Sequence, residues 1–170
     1  LTINALGGDD TITIESGAPF EQIRVIGGDN GTGSDRLIVN DGDAVVDFLL
    51  NEIRQVAAPG PITIAGVEVV EVNGQDGVAA DTWAVLGYGA ATGVQTLILN
   101  GNDTDNNDSD TIDVTLASGP RAVEFTPTSD RTGQLALAGA PAIAIARNNL
   151  ESGLEGARME ASVAALTSRR

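Results

Sequence analysis

One phrase recurs four times in this chain: two alternating apolar residues, a turn rich in Gly, Asn and Asp, and then an aspartate leading a second alternating pair. The four instances are Leu1, Ile3 with Asp10, Ile12, Ile14; Ile23, Val25 with Asp35, Leu37, Val39; Val70, Val72 with Asp81, Trp83, Val85; and Leu97, Leu99 with Asp110, Ile112, Val114. Alternation with a period of two marks a strand with one buried face. Recurrence of the same short phrase marks a stacked array, because no single unit of that size can bury its own apolar face. The expected fold is therefore all-β, a parallel β-solenoid of repeats with irregular acidic turns. The alternative is an antiparallel β-sandwich-like module, in which the runs after Pro61 and Pro141 close hairpins.

A longer period lies over the short one. Residues from Ile23 and from Val94 align at an offset of about 75 to 80 residues, the kind of self-similarity that marks a repeat unit. In this alignment Val46-Asp47-Phe48 faces Val123-Glu124-Phe125, and Pro61-Ile62-Thr63-Ile64-Ala65 faces Pro141-Ala142-Ile143-Ala144-Ile145. Residues 1–22 then read as the end of a preceding repeat, 23–93 as one unit, and 94–170 as a second whose C-terminal part decays. Leu1 falls inside a repeat, so the chain reads as a segment of something longer. Within the decayed part, Ser152-Gly153-Leu154-Glu155 has capping-box spacing, and a helix through Met159, Val163 and Leu166 competes there with a degenerate strand. Val45, Leu49, Ile53 and Val56 also fall on a helical stripe, but the aligned segment contains Pro127 and Gly133, so extended structure is expected.

Composition narrows the function classes. The formal charge is −15, all nine basic residues are Arg, and the chain has no His and no Cys. A chain this acidic is a poor partner for nucleic acid or an anionic membrane, because phosphate binding needs clustered positive charge. No apolar run approaches the roughly 18 residues of a membrane span, so membrane insertion is not expected. Without Cys or His there is no disulfide framework, no thiolate or imidazole metal site and no imidazole base. Cations are the natural partners, and hard, oxygen-seeking ones in particular. With aromatics at 3%, the interior must be built from Val, Ile, Leu and Ala. Trp83 stands where Ile12, Leu37 and Ile112 stand, which makes it a core residue; Tyr88, between Gly87 and Gly89, is the aromatic expected at the surface.

Two stretches carry the oxygen ligands a calcium ion requires, six to eight in number. The first is Gly27-Gly28-Asp29-Asn30-Gly31-Thr32-Gly33-Ser34-Asp35, where glycines allow the positive φ that turns carbonyls inward and Leu37 anchors the turn. Gly7-Gly8-Asp9-Asp10 is a less complete version of it. In the second stretch Asp103, Asp105 and Asn107 alternate and Asp110 follows. Asp108 at the glycine position and Val114 at the bidentate-acid position argue against an EF-hand. A looser calcium loop and a solvated acidic loop both stay open there.

The turn closed by Gly31, Gly33 and Asp35 resembles the nonapeptide of RTX (hemolysin-type) calcium β-rolls. That resemblance implies calcium bound by Asp35 and by the carbonyls of Gly31 and Gly33, with Asp9, Asp10 and Asp29 in the same kind of turn. The chain departs from the pattern elsewhere, because the tandem of perfect nonapeptides that shares ions between turns is missing. The phrases at 1–4, 7–14 and 64–74 resemble repeats of large secreted bacterial surface proteins, notably those of planctomycetes. This implies an extracellular, cell-surface location and a structural or adhesive role without catalysis. Expected partners are calcium ions, neighbouring repeats or other copies of the same protein, and cell-surface polysaccharide. Self-assembly into a filament or surface layer is the first alternative. A carbohydrate-active β-helix enzyme is the second, disfavoured because Arg and one Tyr would have to supply the chemistry that Lys and His usually do.

Overall fold

The computed structural model describes residues 1–28, 34–75, 80–90, 93–101, 110–117, 124–127, 133–136, 140 and 142–146. They form β1 (Thr2–Asn4), β2 (Thr11–Glu15), β3 (Ile23–Ile26), β4 (Arg36–Asn40), β5 (Ala44–Asp47), β6 (Glu52–Gln55) and β7 (Ile62–Ala65). The second half adds β8 (Val69–Asn73), β9 (Thr82–Tyr88), β10 (Thr96–Asn100), β11 (Thr111–Leu116), β12 (Glu124–Pro127), β13 (Gly133–Ala136) and β14 (Ala142–Ala146). There is no helix among the described residues, so none there could cross a membrane as a helix. The C-terminal helix expected through Met159 lies outside them.

Each recurring phrase becomes two strands, and the turn between them carries the chain from one sheet to the other. One sheet has the order β1-β3-β7-β6-β5-β9-β11 and the other β12-β13-β14-β10-β8-β4-β2, each with seven strands. Pairing is mostly parallel; the exceptions are the meanders β5-β6-β7 and β12-β13-β14, whose internal pairs are antiparallel. The all-β expectation is met by two mixed sheets of mostly parallel strands. The segments after Pro61 and Pro141 do close hairpins, yet the strands they supply, β7 and β14, also pair in parallel with β3 and β10.

Register is held across many strands. In the second sheet Ile12, Leu37, Val70, Leu97 and Ile143 form one row, and Ile14, Val39, Val72, Leu99 and Ile145 the next. In the first sheet Val114, Val85, Val46, Ile53, Ile62 and Ile23 lie side by side. Because side chains alternate faces along a strand, one matched pair commits a whole strand to the same inward set. The inward residues of both sheets meet in a single core, where Leu37, Val39, Val70, Val72, Val85, Leu97 and Leu99 are fully buried. Trp83 is there as expected, next to Ala44 in register, a small residue beside the largest side chain in the core. Tyr88 corrects the reading: it is 1% exposed, with its ring centroid 6.3 Å from that of Phe48. Gly87 has φ of 67° and abuts Leu49, so the backbone there turns the following ring inward instead of presenting it to solvent.

At the ends of strands β2, β4, β8 and β10 the outward row is polar and self-complementary. Asn40 Nδ2 donates to Glu15 Oε2 at 3.0 Å, Asn73 Nδ2 to Asn40 Oδ1 at 2.9 Å, and Asn100 Nδ2 to Asn73 Oδ1 at 3.1 Å. A primary amide has both a donor and an acceptor, so identical Asn residues stacked in register can pass one bond along the row.

Two sets of strands correspond in their order within the sheets. β3, β4 and the meander β5-β6-β7 are matched by β10, β11 and β12-β13-β14, with the two sheets exchanged. The row Ile23, Ile62, Ile53, Val46 corresponds to Leu97, Ile143, Leu135, Phe125. Val46, not Phe48, therefore holds the place of Phe125, and Ile62 rather than Thr63 that of Ile143; the sequence alignment is out of step by two residues and by one. Residues 43–56, which also carried a helical stripe, form β5 and β6 as the extended reading required.

Candidate functional site

The acidic residues that lead the strands stand at the strands' N-terminal ends in each sheet, and several accept a hydrogen bond from the backbone at the start of a neighbouring strand. Asp35 Oδ1 accepts from the Asp10 N–H at 2.9 Å, and Glu68 Oε2 accepts from the Asp35 N–H at 2.9 Å. On the other sheet Asp110 Oδ1 accepts from the Asp81 N–H at 3.0 Å, and Asp43 Oδ1 from the Thr82 N–H at 2.8 Å. The local cause is the turn: the first N–H groups of a strand have yet to join a ladder, and a carboxylate one strand away supplies their acceptor. Asp35, Asp81 and Asp110 are consequently buried, at 1%, 5% and 2% exposure.

Glycines make room for these carboxylates. A Cβ on Gly27 would collide with the Gly66 carbonyl and come within 2.5 Å of Asp35 Oδ2. A Cβ on Gly74 would overlap Asp81 Oδ2, and one on Gly42 would overlap Asp81 Oδ1. Asp81 Oδ2 is taken by the Gln75 N–H at 3.0 Å. The second oxygens of Asp10 and Asp35 are buried and have no hydrogen-bond partner.

Of the residues expected to bind metal, Asp10 and Asp35 are brought together in the first ladder, Asp110 sits in the second, and Asp9 is exposed at the β1–β2 turn. Asp29, Gly31, Gly33, Asp103, Asp105 and Asn107 lie outside the described residues. Among those described, no group of three or more carboxylates is arranged to hold a metal ion.

Sequence reasoning passed over Glu68, Asp41 and Asp43. Glu68 plays for β8 the part that Asp35 plays for β4, but it leads the first strand of its phrase, where the pattern had no acid. Asp41 and Asp43 lie in the β4–β5 turn and, with Gly42, Val56, Ala57, Gln75, Ala80 and Asp81, line a cleft of about 250 Å³. Burial pushes the Asp41 carboxyl above its ordinary value and the charge of Asp43 adds to this, while the Ala57 amide, the Ser16 hydroxyl and the Gly42 amide pull it the other way. Asn40-Asp41-Gly42-Asp43 is a run of turn-forming residues, and nothing in it distinguishes a buried acid from an exposed one.

On the outward face Arg36 pairs with Glu71, and Arg54 pairs with Glu52 and lies 3.9 Å from Asp47. Comparison with protein-family models, with curated proteins and with solved structures finds no match.

Proposed function

We propose that this chain is a non-enzymatic structural and adhesive repeat segment of an extracellular surface protein, a parallel β-solenoid stiffened by calcium along its acidic edge. The observation that carries the reading is the ladder of strand-leading carboxylates. One oxygen each of Asp35, Glu68 and Asp110 accepts a neighbouring backbone amide, in step with apolar rows that continue from strand to strand. A chain built this way invests its acidic residues in cohesion along the stacking axis. The exchange of sheets between the two repeat units supports a fold that continues by adding strands rather than closing on itself.

Calcium fits the first ladder in one respect. Asp10 Oδ2 and Asp35 Oδ2 are buried anionic oxygens without a partner, which is costly unless a cation compensates. Asp10 and Asp35 would hold the ion, and calcium, when bound, would neutralise the two carboxylates and tie the β1–β2 turn to the β3–β4 turn. Two carboxylates fall short of a full calcium shell, and the sequence offers the carbonyls of Gly31 and Gly33 to complete it. The test is a thermal melt in millimolar calcium, in chelator, and in sodium chloride of matched ionic strength. A rise in Tm specific to calcium supports the reading. An equal rise with sodium means that the acidity answers to general screening, and calcium leaves the account.

A further inference from the structure

Asparagine stands before glycine at the ends of two stacked strands. β8 runs out into Asn73-Gly74 and β10 into Asn100-Gly101, and the two asparagines are register partners. A third such pair, Asn30-Gly31, lies outside the described residues. In an Asn-Gly pair the backbone nitrogen attacks the preceding side-chain amide most readily, because glycine has no side chain to obstruct the approach. Packing keeps this pair in place. A Cβ on Gly74 would overlap Asp81 Oδ2 and come within 2.6 Å of the Gly101 carbonyl oxygen, so glycine is required there. The amide ladder in turn requires asparagine just before it.

The same packing holds the pair away from reaction. Ring closure joins Gly74 N to Asn73 Cγ, and for this the Asn73 backbone must rotate out of its extended strand conformation. In the fold the Gly74 N–H donates to the Asn100 carbonyl at 2.7 Å, and the Asn73 carbonyl accepts from the Asp41 N–H at 3.0 Å. The Asn73 side-chain amide is held at both ends, donating to Asn40 Oδ1 at 2.9 Å and accepting from Asn100 Nδ2 at 3.1 Å. Reaction therefore waits for this corner of the stack to open.

We propose that Asn73-Gly74 is a latent deamidation site, protected by the stacked fold and exposed when the β4-β8-β10 stack opens. The step forms the bond from Gly74 N to Asn73 Cγ, breaks the Cγ–Nδ2 bond and releases ammonia, which carries off the Gly74 amide proton. Water then opens the cyclic imide at either carbonyl, leaving aspartate or, with the chain routed through Cγ, isoaspartate. No other reactant is needed.

The product cannot rejoin the ladder. Donation runs one way along the row, from Asn100 to Asn73 to Asn40 and on to Glu15, whose carboxylate only accepts. Aspartate at position 73 sets an acceptor against Asn40 Oδ1, and turning the Asn40 amide around would set its oxygen against Glu15 Oε2. Isoaspartate lengthens the backbone at the end of β8 and shifts the Gly74 N–H away from the Asn100 carbonyl. A lasting opening of the stack is thereby recorded in the chain and made irreversible.

Peptide mapping by mass spectrometry in mildly alkaline buffer follows the reaction at Asn73 in the full chain. It is expected to run at least about tenfold slower there than in a synthetic peptide of residues 69–75, the effect of an opening step that costs about 1.4 kcal/mol. Asn100→Ala removes one of the holding bonds and is expected to speed the reaction at Asn73 several-fold. Val46→Ala, at a buried position in the other sheet, destabilises the fold without touching the ladder and is expected to leave the rate near that of wild type. Asn73→Asp, which reproduces the aspartate product, is expected to melt below wild type and no higher than Asn73→Ala. Equal rates in folded chain and peptide, equal acceleration by Asn100→Ala and Val46→Ala, or a wild-type Tm for Asn73→Asp each overturn the proposal. None of these outcomes depends on calcium or on an adhesive role.

Discussion

Asp35 separates the hydrogen-bonding role of the acidic ladder from its charge. Its carboxylate accepts the Asp10 N–H at 2.9 Å while its second oxygen is buried without a partner. Asp35→Ala leaves that amide without its acceptor, at a cost of about 2 kcal/mol. For a chain of this length that lowers Tm by about 4–8 °C. Asp35→Asn keeps an acceptor oxygen and removes a buried charge. In chelator it is therefore expected to be as stable as wild type, or up to about 1 kcal/mol more stable, since a partly compensated buried charge is itself unfavourable. In calcium the order should reverse: wild type gains stability by binding the ion only in its folded form, and the Asn variant gains little. The assay is urea and thermal unfolding by circular dichroism of the three proteins under both conditions. If Asp35→Ala unfolds within about 0.5 kcal/mol of wild type, a shift too small for a lost buried cap, the ladder does not hold the strands as described. If Asp35→Asn is as damaging as Asp35→Ala in chelator, charge rather than the acceptor oxygen matters and the hydrogen-bond argument fails.

Gly27→Ala must displace the Gly66 carbonyl and crowd Asp35, and should cost about 3 kcal/mol or more by overpacking. Gly93→Ala, whose Cβ would meet nothing within 4 Å, should stay within about 0.5 kcal/mol of wild type, and paired urea melts compare the two. Asn73→Ala breaks both of its ladder bonds, to Asn40 and from Asn100, and should lower stability by about 1–2 kcal/mol; an unchanged urea midpoint would remove the amide ladder from the account. Leu99→Ala, at a fully buried position in the middle of the second sheet, should cost about 2–5 kcal/mol by the same measurement. Asp41 makes a pH prediction. Its carboxyl is raised in the folded state, so the fold binds that proton more tightly than the unfolded chain does, and this contribution is fully present below the ordinary carboxylate range. It is lost as pH rises from there through the raised value. Asp41→Asn should flatten this part of the stability–pH curve and be at least as stable as wild type at neutral pH; a less stable variant with an unchanged curve would refute it.

Much of the local structure was legible in the sequence. Ile23 and Val25, and Ile12 and Ile14, alternate with polar neighbours, and period two assigns both the strand and the face whatever the strand later pairs with. Trp83 was placed in the core by its position in a recurring phrase, and that reasoning held because equivalent positions share one environment. Tyr88 broke the same kind of inference, since flanking glycines do not say which way the backbone between them turns. The acidic edge was half visible. The aspartates stood out, but their acceptor role toward a strand 25 to 33 residues away depends on which strand stacks next, and Glu68 fits that role without matching the pattern.

By itself, then, the order of residues determined the strands, their buried faces and the tight turns, because these rest on periodicity and on conformational preferences within a few residues. Tertiary structure alone decided that each phrase splits between two sheets and that the meanders insert with the sheets exchanged. It also decided which acids are buried as caps and which stay in water. These outcomes depend on register between segments far apart in the chain, where matching aliphatic rows and the need of each strand's first amides for an acceptor select one stacking among several that the pattern permits.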